Sequence, residues 1–173
     1  MITRQEKIRL LTRANRGRAA IPSFITALSD ALGERIEAQS LIPLRDTDVL
    51  LATFQNGYRA AMAPGAISYR KFFLLKEEGF VFLLASCLAE KLFNENGFLL
   101  TKLSEYCGAV DVNVSTLLKH AESVIRFDGD SVCVLSKHCH EGLMIDHNLD
   151  DHEQAYEVAI WGKRWPLKAL ACV

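Results

Sequence analysis

Leu99-Leu100-Thr101-Lys102-Leu103-Ser104-Glu105-Tyr106-Cys107-Gly108 is followed by Val112-Asn113-Val114-Ser115-Thr116-Leu117-Leu118-Lys119-His120-Ala121 and then by Ile125-Arg126-Phe127-Asp128-Gly129-Asp130-Ser131-Val132-Cys133-Val134. The first run has a helical pattern and stops at a glycine, the residue that most readily takes the left-handed conformation closing a helix. The second repeats apolar residues at helical spacing. In the third, Asp128-Gly129 reads as a tight turn between two short strands, with Ile125 and Phe127 on the same face as Val132 and Val134. The order is helix, turn, helix, hairpin.

That order resembles the winged helix, and the second run is similar to the recognition helix of many small bacterial DNA-binding proteins. The resemblance spans about a fifth of the chain, and the connection from Gly108 to Val112 is longer than the roughly three-residue turn of a compact helix-turn-helix. It implies a groove-reading surface of Asn113, Ser115, Thr116, Lys119 and His120, with Arg126 beside it, because Asn and Lys can read base edges. Charge pulls the other way. Between Gly97 and Lys137 four basic residues stand against five acidic ones, few for a segment that must hold phosphates.

The basic patch lies at the other end of the chain. Arg4, Lys7, Arg9, Arg13, Arg16 and Arg18 face one acid, Glu6, within the first 18 residues. Arg9, Arg13 and Arg16 are therefore candidate phosphate contacts, and duplex DNA is a candidate partner through this local patch. Residues 141–157 hold six acids and no lysine or arginine, so the patch can equally meet an acidic surface within the chain or on a second copy.

The rest reads as helices. Thr3-x-x-Glu6 is a capping box, and Ile8, Leu11 and Ala14 follow it in a helix over residues 4–15. Pro22 suits the first turn of a second helix with the stripe Ile25, Leu28, Leu32 and Ile36. Asp46 or Thr47 caps a third, carrying Leu50, Phe54, Tyr58 and Met62. Ser68 to Leu75 fits a short helix or a strand, since periodicity does not separate them over so few residues, and is read as a helix; Glu78 to Asn94 reads as a long buried helix closed by Asn96-Gly97. Ala155, Val158 and Ala159 belong to a last helical pattern before Trp161 and Trp165, and the apolar tail from Leu167 to Val173 is expected to be pinned or buried. The fold expected is mainly α: a helical bundle over residues 1–97 and a winged-helix-like module with a small β-hairpin over residues 98–173.

A net charge of -1 on 173 residues supplies no global field for nucleic acid or anionic lipid. The most apolar run, Phe80 to Ala89, is about half the ~20 residues of a membrane span. The amino-terminal stretch is charged and amphipathic, unlike a secretory signal. Five cysteines without CxxC spacing read as reduced thiols, which with these features points to the cytoplasm.

Four of the five histidines, His138, His140, His147 and His152, fall in one window with Cys139. On an extended strand His138 and His140 share a face, which is how a strand offers two nitrogens to one ion. The spacing matches no zinc signature and offers one thiolate, so no structural metal is expected, nor any cofactor. There is no GxSxG elbow and no phosphate-cradling glycine loop, so an enzyme is not expected. Two functions stand side by side: a DNA-binding or regulatory protein using the winged-helix-like segment, or a protein-interaction module (adaptor, immunity or assembly subunit), alone or as a homodimer.

Overall fold

The computed structural model describes residues 3–149 and 154–172. Thr3 opens the first helix as its spacing to Glu6 requires, its hydroxyl accepting the Glu6 amide at 3.2 Å. Helix α1 then runs unbroken over Arg4–Leu32, and Pro22, expected to start a second helix, lies inside it on the exposed side. Proline costs an interior helix one backbone hydrogen bond, and the burial of Phe24, Leu28 and Leu32 in the turns that follow offsets the loss. Helix α2 spans Leu44–Ala61 and starts after Pro43 rather than at Asp46 or Thr47. Thr47 is buried instead, its hydroxyl donating to the Ile42 carbonyl at 3.2 Å and accepting the Ala109 amide at 2.9 Å.

The mainly α expectation fails at the sheet. Strands β1 (Ser68–Leu74), β2 (Asn96–Leu100), β3 (Val110–Asn113), β4 (Ser131–Ser136), β5 (Gly142–Leu149) and β6 (Gln154–Trp161) form one sheet in the order β1-β6-β5-β4-β2-β3. Every pairing in it is antiparallel. Between the strands lie α3 (Glu78–Lys91), α4 (Ser104–Cys107), α5 (Val114–Lys119) and α6 (Ala121–Asp128), and α7 (Trp165–Leu170) follows the last one.

The winged helix dissolves accordingly. Leu99 and Leu100 belong to β2, Val112 and Asn113 to β3, and Ile125 to Phe127 are helical rather than a hairpin arm. Asp128-Gly129 is no hairpin turn: Gly129, at φ 92°, is the left-handed cap that ends α6. A glycine after an aspartate serves either purpose, and the choice fell to long-range pairing, which placed Val134 against Leu99 and Leu143 rather than against its own upstream neighbours. Ser68 to Leu74 and the region of Ala155 are strands for the same reason, since Tyr69 to Phe73 pairs in register with Ile160 to Tyr156, while Leu75 opens a 3-10 turn.

Helices cover both faces. On one, Phe24, Leu28 and Leu32 of α1, Leu88 of α3, Leu117, Val124 and Trp165 pack over Val132, Val134, Leu143, Val158 and Ile160. On the other, Leu50 and Phe54 of α2 meet Leu100, Leu135 and Trp161. Alternation along β6 supplies both cores at once, with Tyr156, Val158 and Ile160 turned to the first and Trp161 to the second. No helix among the described residues is long and apolar enough to cross a membrane.

Candidate functional site

Strand β1 is an outer strand of the sheet, and α3 overhangs it. Between them lies a cavity of about 630 Å³ lined by Tyr69, Lys71 and Phe73 from the strand and by Phe80, Leu83 and Cys87 from the helix. The residue pattern dictates this arrangement. Tyr69, Lys71 and Phe73 alternate, so all three side chains leave β1 on one face, while Phe80, Leu83 and Cys87 recur at helical spacing along one side of α3. Phe80 and Leu83 are 63% and 67% exposed, and Ile67, Phe72 and Leu75 add further uncovered apolar surface along the same edge. A large apolar surface left open on a folded chain marks an interaction site.

Two polar groups in the groove lack a hydrogen-bonding or ionic partner among the described residues, although the Lys71 ammonium lies over the Phe73 ring, 4.8 Å from its centre. Tyr69 is only 8% exposed, and its hydroxyl has no hydrogen bond among the described residues; burial raises its pKa above the ordinary phenol value. Lys71 has no carboxylate within ion-pair distance among the described residues, whereas its neighbour Arg70 is held by Glu157 at 2.6 Å. The strand also offers backbone. Glu77 Oε2 accepts the Leu74 amide at 2.9 Å, so that amide faces away from β6, and alternation turns the N–H and C=O of Phe72 and Arg70 to the same open side.

Several of the residues nominated for DNA reading are buried or engaged within the chain. Asn113 caps α5, its side-chain oxygen accepting the Thr116 amide at 3.0 Å and its amide nitrogen donating to the Phe93 carbonyl at 3.4 Å. Ser115 is buried, Thr116 and His120 are half-buried, and Lys119 is exposed. Arg126 is exposed and paired with Glu122 along α6. On α1, Arg13 grips Asp48 with two hydrogen bonds, at 2.8 and 2.6 Å, and donates to the Glu105 carbonyl as well. Arg16 lies over the Tyr106 ring, 5.8 Å from its centre, and with Arg9 borders the same depression.

The histidines separate too. His138 and His140 lie in the turn between β4 and β5 rather than on a strand, and His147 stands on β5 with its ring 4.7 Å from that of Tyr156. His152 lies outside the described residues. Among the described residues no group of three or more His, Cys, Asp or Glu is placed to hold a metal ion. The expectation of five reduced thiols is corrected by a disulfide between Cys87 of α3 and Cys172, which leaves Cys107, Cys133 and Cys139 free.

Sequence reasoning missed the groove because it took the whole of α3 for core. The available signal was an excess: a helix apolar all round needs cover on every side, and among the described residues none covers Phe80 and Leu83. Comparison with known proteins returns no match, whether to family models, curated proteins or solved structures.

Proposed function

We propose that this chain is a protein-interaction module that captures an extended segment of another protein along the outer edge of β1. The carrying observation is the coincidence of an open strand edge at Arg70 and Phe72 with an apolar groove under α3. A strand added there gains main-chain hydrogen bonds from the edge and places every second side chain between β1 and α3, where Phe80 and Leu83 would be covered. The groove's charge is mixed, with Glu77 spent on the Leu74 amide and Glu90 also in its lining, and within it Lys71 and the unpaired Tyr69 hydroxyl are the groups that would meet an acidic residue among apolar ones. The same lysine disfavours a second copy of the strand, since self-pairing brings Lys71 and Arg70 against their own kind.

Support for the DNA-binding reading is weaker on this fold, because Arg13 and Asn113 are engaged within the chain and Ser115 is buried. The Cys87–Cys172 bond favours an oxidising environment over the expected cytoplasm, where both thiols would be kept reduced.

The test is selection from a displayed library of short random peptides, followed by amide chemical-shift mapping with the enriched sequences. Alternating apolar residues around an Asp or Glu are expected, with the largest shifts at Arg70, Phe72 and Leu83. Phe72→Pro removes an outward amide that bonds nothing in the sheet, so the strand survives while binding is lost. Leu83→Asp blocks the groove from the helix side, and Lys71→Glu should turn the preference from acidic to basic peptides. Peptides that bind both Phe72→Pro and Leu83→Asp undiminished would overturn the reading. So would a dimer in light scattering that Phe72→Pro dissolves, since the edge would then belong to a second copy.

A further inference from the structure

At one end of the sheet three connections converge: the link from α3 to β2, the turn from β4 to β5, and the link from β6 to α7. They enclose a cavity of about 620 Å³ lined by Ser136, His138, His140, Lys163 and Arg164, with the carboxylates of Glu95 and Glu141 in its wall. That volume lies within the range of small-molecule sites. We infer that this cavity binds a small phosphorylated molecule through its phosphate group, a site independent of the groove beside β1.

Two acids in the wall would repel an anion if their charge were free. Glu141 is buried and fully engaged: its carboxylate accepts the amides of Arg164 and Trp165, at 3.0 and 3.2 Å, and Arg164 Nε at 3.1 Å. Glu95 is met by Arg164 Nη1 at 3.2 Å and by Lys168 at 3.8 Å. The charge of each carboxylate is therefore spent on holding the wall. What remains is Lys163, which has no acidic partner among the described residues, Arg164 Nη2, which makes no hydrogen bond among them, and two exposed imidazoles. The two carboxylates and two cations of the lining balance in charge, so what the cavity offers an anion is free donors rather than a surplus of positive charge.

The backbone shows the same purpose. Gly162, at φ 110°, passes so close to the turn that an added Cβ would come within 2.5 Å of Glu141 Cγ and 2.8 Å of the His140 carbonyl oxygen, so only glycine lets the two loops close. Cys139 takes a left-handed φ of 58° and packs its side chain toward the α2 core, while His138 and His140 on either side of it line the cavity. Left-handed backbone at a residue other than glycine costs energy and collects at functional sites. A planar carboxylate ligand satisfies two donors, whereas the Lys163, Arg164, His138 and His140 groups suit an anion with three outward oxygens, and phosphate is that anion.

The test uses the intact chain and three probes, inorganic phosphate, ribose 5-phosphate and citrate, titrated while the imidazole resonances of His138 and His140 and the Gly162 amide are followed. Saturable shifts with the two phosphates, tighter for the ester, are expected, and Lys163→Ala and His140→Gln should each weaken binding about tenfold, the worth of one hydrogen bond to a charged group. Both residues are exposed, so neither change threatens the fold. Absence of saturable shifts, equal affinity in both variants, or tighter binding of citrate than of either phosphate would overturn the inference.

Discussion

Arg70 Nε lies 2.6 Å from Oε1 of Glu157, so the outer strand β1 is tied to its neighbour β6 by a pair whose carboxylate is buried and whose guanidinium is half-exposed. Tyr58 of α2 donates its hydroxyl to the same carboxylate, at 3.1 and 3.2 Å from the two oxygens. Removing Arg70 leaves a buried charge with one neutral donor. Arg70→Ala should therefore lower stability by about 2 kcal/mol, with Tyr58→Phe adding less than proportionally because the two share one acceptor. Urea unfolding of the two single variants and the double variant checks this.

Trp161 joins the sheet to α2 and leaves no room around itself. Its ring lies 5.0 Å from that of Phe54, and a Cβ added at Gly142 would come within 2.2 Å of its Cζ2. Gly142→Ala should cost about 2 kcal/mol by overpacking, although nothing at that position demands a glycine's backbone freedom. Phe54→Leu in the same background should recover part of the loss by letting the indole shift, and an unchanged unfolding midpoint for Gly142→Ala would contradict the packing.

Arg13 and Asp48 make a pH-dependent contribution of known sign. The hydrogen bonds from Arg13, ahead of its charge, hold the Asp48 carboxyl below its ordinary value of 3.8. The native form is thus favoured above that value, and the contribution is lost as pH falls through the lower folded value. Acid titration of stability should show this loss in the wild type and not in Arg13→Ala. The pair also bears on nucleic acid: any duplex binding should keep its salt slope in Arg13→Ala and lose about one unit in Arg9→Ala or Arg16→Ala, because only the latter two offer free charge.

The Cys87–Cys172 bond closes a loop of 85 residues in sequence separation and fastens the chain after α7 to α3. Cys172→Ser should lower stability by about 3 kcal/mol. Thiol counting on the unreduced, denatured chain should find three reactive cysteines, Cys107, Cys133 and Cys139, and five after reduction. Finding five without reductant would remove the bond.

Local signals were legible wherever a decision rests on a few adjacent residues. Thr3 caps α1 by accepting the Glu6 amide, the stripe Leu50, Phe54 and Tyr58 turns inward on α2, and a helix stands at Glu78–Lys91, though it is closed at Leu92 rather than by Asn96-Gly97, which lies in β2. The absence of a membrane-spanning helix among the described residues follows directly from the scatter of charge. Of the site, the basic character of α1 was readable, whereas His138 and His140, expected on one face of a strand, lie in the turn between β4 and β5.

Whatever depends on a partner distant in the chain was not readable. Tyr69 to Phe73 satisfies helix and strand alike until Tyr156 to Ile160 lies beside it, and Asp128-Gly129 ends a helix or turns a hairpin according to where Val134 finds its neighbours. A backbone needs every hydrogen bond made, and residues far along the chain decide which set is complete. So the sequence by itself determined the caps, the helical stripes and the charge distribution. Only the tertiary structure decided that six strands pair into one sheet, that β1 is left with an open edge under α3, and that Lys163, Arg164 and two histidines meet around one cavity, because each of these joins side chains whose proximity is created by folding.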